Sequence, residues 1–283
     1  MGDRSKQAEL VEYMRRLPSC VVAFSGGVDS AVVAKAAQVA QGGRTLAVTA
    51  VSPSFAEGEL AVAIDVARQI GIRHETISTL EIENAAYVAN HFDRCFHCKT
   101  ELYSLLATHL AEWNVETIVN GANVDDLGDH RPGMRAAREH QVISPLADCG
   151  ATKADVRQMA QDWHLSVAEK LATPCLSSRI AYGESVTPER LRRIDLAEQW
   201  LRRNGFHDVR VRLHRGDLAR LEVPQDDLVR ICSEPVRSDL SRSLQELGFK
   251  YITLDLEGRR TGSLNHLIPV EQLERQSPGE PPS

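Results

Sequence analysis

The stretch that most constrains the fold of this chain is a short apolar run followed at once by a glycine pair. Val21–Phe24 is apolar throughout, and Ser25–Ser30 reads Ser-Gly-Gly-Val-Asp-Ser. Such a run predicts a buried strand, and the residues after it predict a helix that begins near Asp29 or Ser30. Adjacent glycines let backbone N–H groups approach an anion, and the helix directs its positive dipole end to the same point. The stretch therefore predicts a strand, a phosphate-binding turn and a helix.

The composition of this turn separates it from other phosphate-binding loops. A Walker A loop carries a Lys beside its terminal Ser or Thr, and Asp29 holds that place in this chain. The turn resembles the signature of the ATP pyrophosphatase (PP-loop) superfamily, which adenylates substrates and releases pyrophosphate. That resemblance implies ATP with Mg²⁺, the loop holding the β- and γ-phosphates; the alternative is a tight turn without a ligand. The residues expected to bind nucleotide are Ser25, Gly26, Gly27, Asp29 and Ser30, and Asp29 is also expected to be catalytic.

Length, charge and cysteine content limit the classes of protein. A chain of 283 residues favours two domains over one. The 33 Lys and Arg residues are outnumbered by 39 Asp and Glu, which disfavours a tRNA substrate. No apolar run approaches a membrane span and the first residues lack the core of a secretory signal, so the expected location is the cytoplasm. The six cysteines are then expected to be reduced, ligating or catalytic.

The first part of the chain, to about residue 165, alternates short β-branched runs with longer helical stretches. This pattern predicts an α/β fold, a parallel sheet with helices on both faces. Ligands bind such sheets at the carboxyl ends of strands, so the loops after Val51 and Val119 are expected to line the site. The predicted strands are Cys20–Phe24, Thr45–Val51, His74–Ile77 and Thr117–Val119, and the predicted helices are Ala31–Ala40, Glu57–Ile70, Thr100–Trp113 and Lys153–Trp163.

The pattern changes near Gly183, where a small α+β domain is predicted. Thr187 and Pro188 begin a helix that Gly205 ends. Alternating residues then predict half-buried strands over 209–213 and 219–223. A further helix (Val236–Leu247) and strand (Tyr251–Leu254) complete this domain. The predicted division is a PP-loop domain over 1–170, a substrate and association domain over 171–265, and a disordered tail over 266–283.

A polar segment follows the predicted strand that ends at Val119. Asn120–Asn123 reads Asn-Gly-Ala-Asn, and Asp125 and Asp126 come directly after Val124. Small residues with carboxamides and carboxylates suit the approach of a nucleotide and its Mg²⁺ ion. The alternative is a polar turn. The residues expected to bind nucleotide in this segment are Gly121, Asn123 and Asp125, and the continuation to Gly133 is expected to be a mobile loop.

Three cysteines stand out by their positions. Cys95 and Cys98 form a CxxC, which can be a redox dithiol, half of a zinc site, two cluster ligands or neither. Cys175 lies between a proline and the run Leu-Ser-Ser-Arg, which predicts an exposed loop. Three thiolates can hold a [4Fe–4S] cluster whose fourth iron carries a transferable sulfur. The alternative is three unrelated thiols.

Two arginines are predicted to share one face of a strand. Arg210 and Arg212 are two residues apart, so both guanidinium groups point the same way and can hold a phosphate or carboxylates. The alternative is a solvated strand face. Glu198, on the preceding helix, and Glu222, on a neighbouring strand, can supply carboxylates to a metal or an amine, although each alone is more typical of surface.

Together these segments resemble the LarE family, the sulfur transferase of nickel-pincer cofactor synthesis. The resemblance covers roughly residues 5–255, and its most specific parts are the block around Cys175 and the strand that contains Arg210 and Arg212. It implies that ATP adenylates the carboxylates of pyridinium-3,5-biscarboxylic acid mononucleotide, that pyrophosphate leaves, and that sulfur displaces AMP. It also implies association into a homo-oligomer and partnership with the other enzymes of nickel-pincer cofactor synthesis.

The resemblance assigns roles to single residues. Arg210 and Arg212 match substrate-phosphate contacts, and Glu198 and Glu222 match metal-associated carboxylates. Cys175 matches the cysteine that gives up its own sulfur in single-cysteine members. The additional Cys95 and Cys98 instead favour the branch in which the three cysteines hold a [4Fe–4S] cluster. The competing functions are a cluster-dependent tRNA thiolase and a nucleotide-binding module without catalysis.

Overall fold

The computed structural model describes residues 5–126 and 132–260, which form two compact units. The first unit holds the described residues up to Glu81 together with Cys95–Thr173. The second holds Ile82–Arg94 and the described residues from Pro174 onward. A short segment from the first half of the sequence therefore packs with the second unit.

The helices and strands are numbered in chain order. The helices are α1 Lys6–Arg16, α2 Val28–Gln41, α3 Glu59–Ile70, α4 Ala85–Val88, α5 Arg94–Trp113, α6 Pro132–Glu139, α7 Pro145–Asp148, α8 Lys153–Asp162, α9 Pro188–Arg203, α10 Leu228–Cys232 and α11 Val236–Glu246. The strands are β1 Cys20–Ala23, β2 Thr45–Val51, β3 Arg73–Ser78, β4 Thr117–Val119, β5 Arg210–His214, β6 Leu218–Glu222 and β7 Tyr251–Leu254.

The sheet of the first unit is parallel, with the strand order β3-β2-β1-β4. Cys20 at the start of β1 is paired with Thr45 on one side and with Thr117 on the other. Because β1 is interior, its residues are buried on both faces, and Val21 and Val22 are fully covered. The predicted α/β fold is confirmed, and the glycine turn after β1 lies between the carboxyl ends of β2 and β4.

Helices cover both faces of this sheet. Val22 faces a core that includes Leu10 of α1, Ala34 of α2 and Met159 of α8. Val21 faces the opposite layer, built largely from α5 and α6. The alternation of Val21 and Val22 between two cores follows from the two-residue period of a strand.

Two helix starts test the predicted boundaries. Helix α8 begins at Lys153 as predicted, and Thr152 and Asp155 form a capping box there: the Asp155 N–H donates to Thr152 Oγ1 at 3.2 Å, and the Thr152 N–H donates to Asp155 Oδ2 at 2.8 Å. Helix α5, in contrast, begins at Arg94 and not at Thr100, so the CxxC lies in its first turn. The predicted start at Thr100 was wrong. Residues 94–99 contain no helix breaker, so the helix continues through them, and the burial of these residues is set by tertiary contacts that the local sequence does not reveal.

The second unit is a three-stranded sheet with helices. Strand β5 is antiparallel to β6, and β6 is parallel to β7. Helix α9 packs on β5 and begins as predicted, with the Arg190 N–H donating to Thr187 Oγ1 at 3.3 Å and Pro188 in the first turn. The small α+β domain predicted from the sequence is present.

The loop predicted up to Gly133 falls largely outside the described residues, which resume at Pro132 in α6. The predicted tail over 266–283 also falls outside them. Within 5–126 and 132–260, no helix has both the length and the apolar composition that crossing a bilayer requires.

Candidate functional site

The glycine turn after β1 is closed by the hydroxyl groups of its two serines. Ser25 Oγ and Ser30 Oγ lie 3.2 Å apart, and the Ser25 N–H donates to Ser30 Oγ at 3.2 Å. Ser30 Oγ also donates to the Gly27 carbonyl at 3.1 Å, while the Gly27 N–H donates to Ser25 Oγ at 3.3 Å. These bonds fix the turn at the N-terminus of α2, where helix dipole and backbone N–H groups favour an anion.

Two glycines are required at this site by close backbone contacts. Gly26 has φ +70°, and a Cβ at this position would lie 2.8 Å from Ala63 Cα in α3. A Cβ on Gly121 would lie 2.7 Å from the backbone nitrogen of Ser30. The structure thus brings the segment after β4 against the first turn of α2, and the two predicted nucleotide-binding segments form one site.

Asp29 is the centre of a polar network at this point. Its Oδ1 accepts from Asn123 Nδ2 at 3.0 Å, and its Oδ2 accepts from Lys153 Nζ at 2.5 Å. The backbone N–H of Lys153 donates to Asp125 Oδ2 at 2.7 Å, and that of Asp125 donates to Asn123 Oδ1 at 2.9 Å. The predicted residues Asp29, Asn123 and Asp125 are therefore brought together, with two carboxylates that suit Mg²⁺.

Lys153 belongs to this polar network but was not predicted from the sequence as a candidate site residue. Its side chain is 35% exposed and that of Asp29 is 28% exposed, so both remain accessible to a ligand. An ammonium group beside a glycine turn suits the phosphates of ATP. The only local signal was its place directly after the α8 cap Thr152, which was interpreted as a helix start alone.

A second missed residue is Glu81, a buried carboxylate beyond the end of β2. Its Oε1 accepts from Ser52 Oγ at 2.6 Å and from Ser54 Oγ at 3.1 Å. Its Oε2 is buried and has no hydrogen-bond partner among the described residues. Ser52 directly follows β2, so this group lies at the same edge of the sheet as the glycine turn.

The cysteines that were singled out belong to both units. Cys95 and Cys98 lie one turn apart on α5, and neither forms a disulfide. The Arg135 guanidinium lies 3.7 Å above the ring of Phe96, which stands between them in the sequence. Cys175 belongs to the second unit and is exposed. Within the described part of the chain, no group of three or more His, Cys, Asp or Glu residues is arranged to hold a metal ion. Cys20, in contrast, is buried, and burial raises the pKa of its thiol to about 12.

Arg210 and Arg212 do not form a solvated face, because only 5% and 7% of their surfaces are exposed. Arg212 donates to both oxygens of Glu222, at 3.0 and 2.9 Å. Burial, together with repulsion from the buried Arg179, lowers the pKa of Arg210 to about 10. The expectation of a half-buried β5 was wrong, since paired arginines are buried on the face opposite Val211.

The predicted carboxylate Glu198 lies in the same buried cluster. It is fully covered and binds Arg179, which is also fully covered, at 3.0 and 3.3 Å. In the sequence, Arg179 is the last residue of the Leu-Ser-Ser-Arg run after Cys175, and no role was predicted for it. The second unit thus brings Glu198, Arg212 and Glu222 together around the turn that carries Cys175.

Comparison with known proteins identifies relatives of the whole chain. Residues 8–104 match the family model of NAD synthase. The chain is 42% identical over 264 residues to an uncharacterised protein of Synechocystis sp., covering 93% of this chain and 98% of the relative. It is 36% identical over 272 residues to pyridinium-3,5-bisthiocarboxylic acid mononucleotide synthase of Lactiplantibacillus plantarum, covering 95% and 97%. An uncharacterised protein of Methanocaldococcus jannaschii is 29% identical over 237 residues, covering 84% and 89%.

These matches cover different parts of the chain. The NAD synthase model spans the glycine turn and the strands β1, β2 and β3, which is the part expected to use ATP. The similarity to the Lactiplantibacillus synthase runs through both units. The resemblance to the LarE family that was inferred from the motifs is confirmed. The chain belongs to the LarE family of ATP-dependent sulfurtransferases in the PP-loop superfamily.

Proposed function

We propose that this protein converts the carboxylates of pyridinium-3,5-biscarboxylic acid mononucleotide into thiocarboxylates during nickel-pincer cofactor synthesis. The observation that carries the proposal is the 36% identity to the Lactiplantibacillus plantarum synthase, which extends over 95% of this chain. The polar network around Asp29 and the exposed thiol of Cys175 supply groups suited to the two halves of this chemistry.

In the first half, ATP activates the substrate. The glycine turn and the N-terminus of α2 would receive the β- and γ-phosphates, and the carboxylates of Asp29 and Asp125 would provide oxygen ligands for the accompanying Mg²⁺. A substrate carboxylate oxygen attacks the α-phosphorus, so a P–O bond forms while the bond to the leaving pyrophosphate breaks. The resulting acyl-adenylate has AMP as its leaving group, which makes the acyl carbon open to sulfur.

In the second half, sulfur replaces AMP. In the sacrificial route, the thiolate of Cys175 attacks the acyl carbon, a C–S bond forms and the C–O bond to AMP breaks. Loss of the Cys175 Cα proton with cleavage of its Cβ–S bond then leaves dehydroalanine in the protein and a thiocarboxylate on the substrate. Repetition at the second carboxylate, on a fresh protein molecule, gives the dithio product.

The alternative route uses Cys175 as a ligand instead of a sulfur donor. A [4Fe–4S] cluster held by Cys95, Cys98 and Cys175 would carry a transferable sulfur and spare the protein. The first two thiols fit this use, because residues one turn apart on α5 face the same way. The third belongs to the other unit.

Substrate binding is proposed for the arginine pair of β5. Arg210 and Arg212 are buried among other charges, and desolvated guanidinium groups bind phosphate more strongly than solvated ones. We assign them to the phosphate of the mononucleotide.

Incubation of anaerobically purified protein with ATP, Mg²⁺ and the dicarboxylate mononucleotide tests the proposal. We expect pyrophosphate release that depends on this substrate, and a product heavier by the difference between sulfur and oxygen. The matched control is the mononucleotide with a single carboxylate. Because the NAD synthase model matches residues 8–104, ammonium is tested as well. Formation of an amide in place of a thiocarboxylate would contradict the proposal.

Iron and sulfide analysis of the same preparation separates the two sulfur routes. An active protein without iron that loses the mass of H₂S during the reaction uses Cys175 as the donor. An active protein that contains iron and sulfide and keeps its mass uses a cluster.

A further inference from the structure

Two carboxylates of the second unit are enclosed by positively charged donors. Glu198 is fully buried, and its Oε1 accepts from Arg179 Nε at 3.0 Å and from the Val211 backbone N–H at 3.2 Å. Its Oε2 accepts from Arg179 Nη2 at 3.3 Å and from Arg202 Nη2 at 2.7 Å. A carboxylate offers about four acceptor positions, so these four donors occupy all of them.

Glu222 repeats this arrangement on strand β6. It is also fully buried, and its Oε1 accepts from Arg212 Nε at 3.0 Å and from Arg220 Nη2 at 3.1 Å. Its Oε2 accepts from Arg212 Nη2 at 2.9 Å. Each carboxylate therefore holds one arginine in a two-bond pairing, and the surrounding guanidinium groups repel a metal cation.

The far ends of the two held arginines reach the turn that carries the reactive cysteine. Arg179 Nη1 donates to the carbonyl of Cys175 at 2.9 Å and also to the carbonyl of Pro174. Arg212 Nη1 donates to the carbonyl of Ser178 at 2.9 Å. We call residues 174–178 the Cys175 turn. Its backbone is anchored near both ends by a carboxylate–guanidinium–carbonyl chain, whereas the Cys175 side chain is exposed.

A third arginine holds the middle of the same turn. Arg94, on the segment that the second unit takes from the first half of the sequence, donates from Nη1 to the Ser177 carbonyl at 2.8 Å. The Tyr87 hydroxyl lies 2.5 Å from Ser177 Oγ. The Cys175 turn thus has little freedom to move its backbone.

We propose that Glu198 and Glu222 are positioning residues, not metal ligands, and that they fix the Cys175 turn for sulfur transfer through Arg179 and Arg212. This inference rests on the proposed function, in which Cys175 is the site of sulfur chemistry. A thiol on a fixed turn meets an acyl carbon in a defined orientation, and small displacements of a reacting group reduce rates strongly.

The Arg179→Gln variant tests whether Arg179 fixes the Cys175 turn, and Arg202→Gln is its matched control. We call this fixing of the turn by Arg179 the clamp. Both arginines bind Glu198, but Arg202 lies 33% exposed on α9 and makes no bond to the Cys175 turn among the described contacts. We expect Arg179→Gln to retain substrate-dependent pyrophosphate release while thiocarboxylate formed per pyrophosphate falls by roughly a hundredfold. Arg202→Gln is expected to keep both. Equal loss of both activities in Arg179→Gln would overturn the assignment to positioning.

Arg179→Lys separates positioning from simple charge balance. A lysine keeps the positive charge beside Glu198, but its single ammonium group cannot span from the carboxylate to the turn carbonyls. We therefore expect it to fold like the wild type by thermal unfolding and to transfer sulfur as poorly as Arg179→Gln. Full recovery of sulfur transfer would contradict the clamp.

Manganese titration distinguishes positioning from metal binding. In the nucleotide-free protein, we expect Glu198→Gln to bind Mn²⁺ as the wild type does and to share the transfer defect of Arg179→Gln. Loss of a Mn²⁺ site in Glu198→Gln, with that site kept in Arg179→Gln, would overturn the inference. If the wild type itself forms no thiocarboxylate, the proposed function fails; if Arg179→Gln matches an active wild type, only the clamp fails.

Discussion

Replacement of Gly121 by alanine tests how the segment after β4 shapes the proposed ATP site. The new Cβ would lie 2.7 Å from the backbone nitrogen of Ser30 and 2.9 Å from the carbonyl carbon of Asp29. Ordinary van der Waals contact begins at 3.4 Å, so the two segments must separate by roughly 0.7 Å. Both neighbours are backbone atoms of a buried helix, which cannot rotate away as a side chain can. The substitution therefore displaces either the glycine turn or the segment after β4 that contains Asn123.

The expected cost follows from this overlap. Overpacking of this kind lowers the free energy of unfolding by about 1–3 kcal/mol, and each kcal/mol shifts Tm by about 2–4 °C in a chain of this size. Displacement of the turn by part of an ångström is expected to raise KM for ATP by about tenfold, equivalent to about 1.4 kcal/mol. Gly121 has no positive φ, so contact alone produces the effect.

Pyrophosphate release measured against ATP concentration, with a thermal melt of the same sample, reports both quantities. Gly43→Ala is the matched control, because its Cβ would meet nothing within 4 Å and its φ is not positive. The control is expected to behave as the wild type. A Gly121→Ala protein with unchanged KM and Tm would refute the close packing of β4 against α2.

Three further predictions concern charge and protonation. Lys153→Met is expected to raise KM for ATP by about tenfold, because it removes an ammonium group that lies 2.5 Å from Asp29 and is placed to bind the phosphates of ATP. An unchanged KM for ATP would exclude phosphate binding by Lys153. Iodoacetamide at neutral pH is expected to label Cys175, which is exposed, and to spare Cys20, whose pKa of about 12 keeps it a thiol; peptide mass spectrometry reads both sites. Burial and nearby arginines lower the pKa of His214 below 6.5, so the unfolded chain binds this proton first and the folded state loses stability as pH falls through 6.5. Urea unfolding at several pH values is expected to show a weaker pH dependence in His214→Gln, and an identical dependence would contradict this assignment.

The ATP-binding half of the fold was accessible from local sequence patterns. Strands β2 and β4 have the predicted bounds, and β1 ends one residue early at Ala23. The reason is that an interior parallel strand is apolar on both faces, so its sequence is a continuous run with clear ends. The Ser-Gly-Gly turn that follows has few structural alternatives.

The charged residues of the second unit were harder to interpret. Alternation of valine with Arg210 and Arg212 is typical of a strand with one solvated face, yet both arginines are buried. The partners that make this burial possible are Glu222, ten residues away in sequence from Arg212, and the carbonyl of Ser178, thirty-four residues away. Such pairing depends on the tertiary structure, so the pattern of residues along one strand does not predict it.

Lys153 was missed for the same physical reason. Its partner Asp29 is 124 residues away along the chain. The capping box that precedes it explains the residues of the α8 start without reference to a ligand, so nothing local indicated a second role. The same holds for the segment 82–94. Arg94 binds the Cys175 turn through the Ser177 carbonyl, and Asn90 binds the carbonyls of residues 180, 181 and 184, just after the turn.

The most direct test of the central claim follows an oxygen atom from the substrate carboxylate. Adenylation joins this oxygen to the α-phosphorus, and sulfur attack then breaks its bond to carbon, so it must leave within AMP. With heavy-oxygen label in the carboxylates of the mononucleotide, mass spectrometry is expected to find the label in the phosphate of AMP and none in pyrophosphate. Thiocarboxylate product accompanied by AMP without label, or label in pyrophosphate, would contradict an ATP-dependent sulfur transfer through an acyl-adenylate.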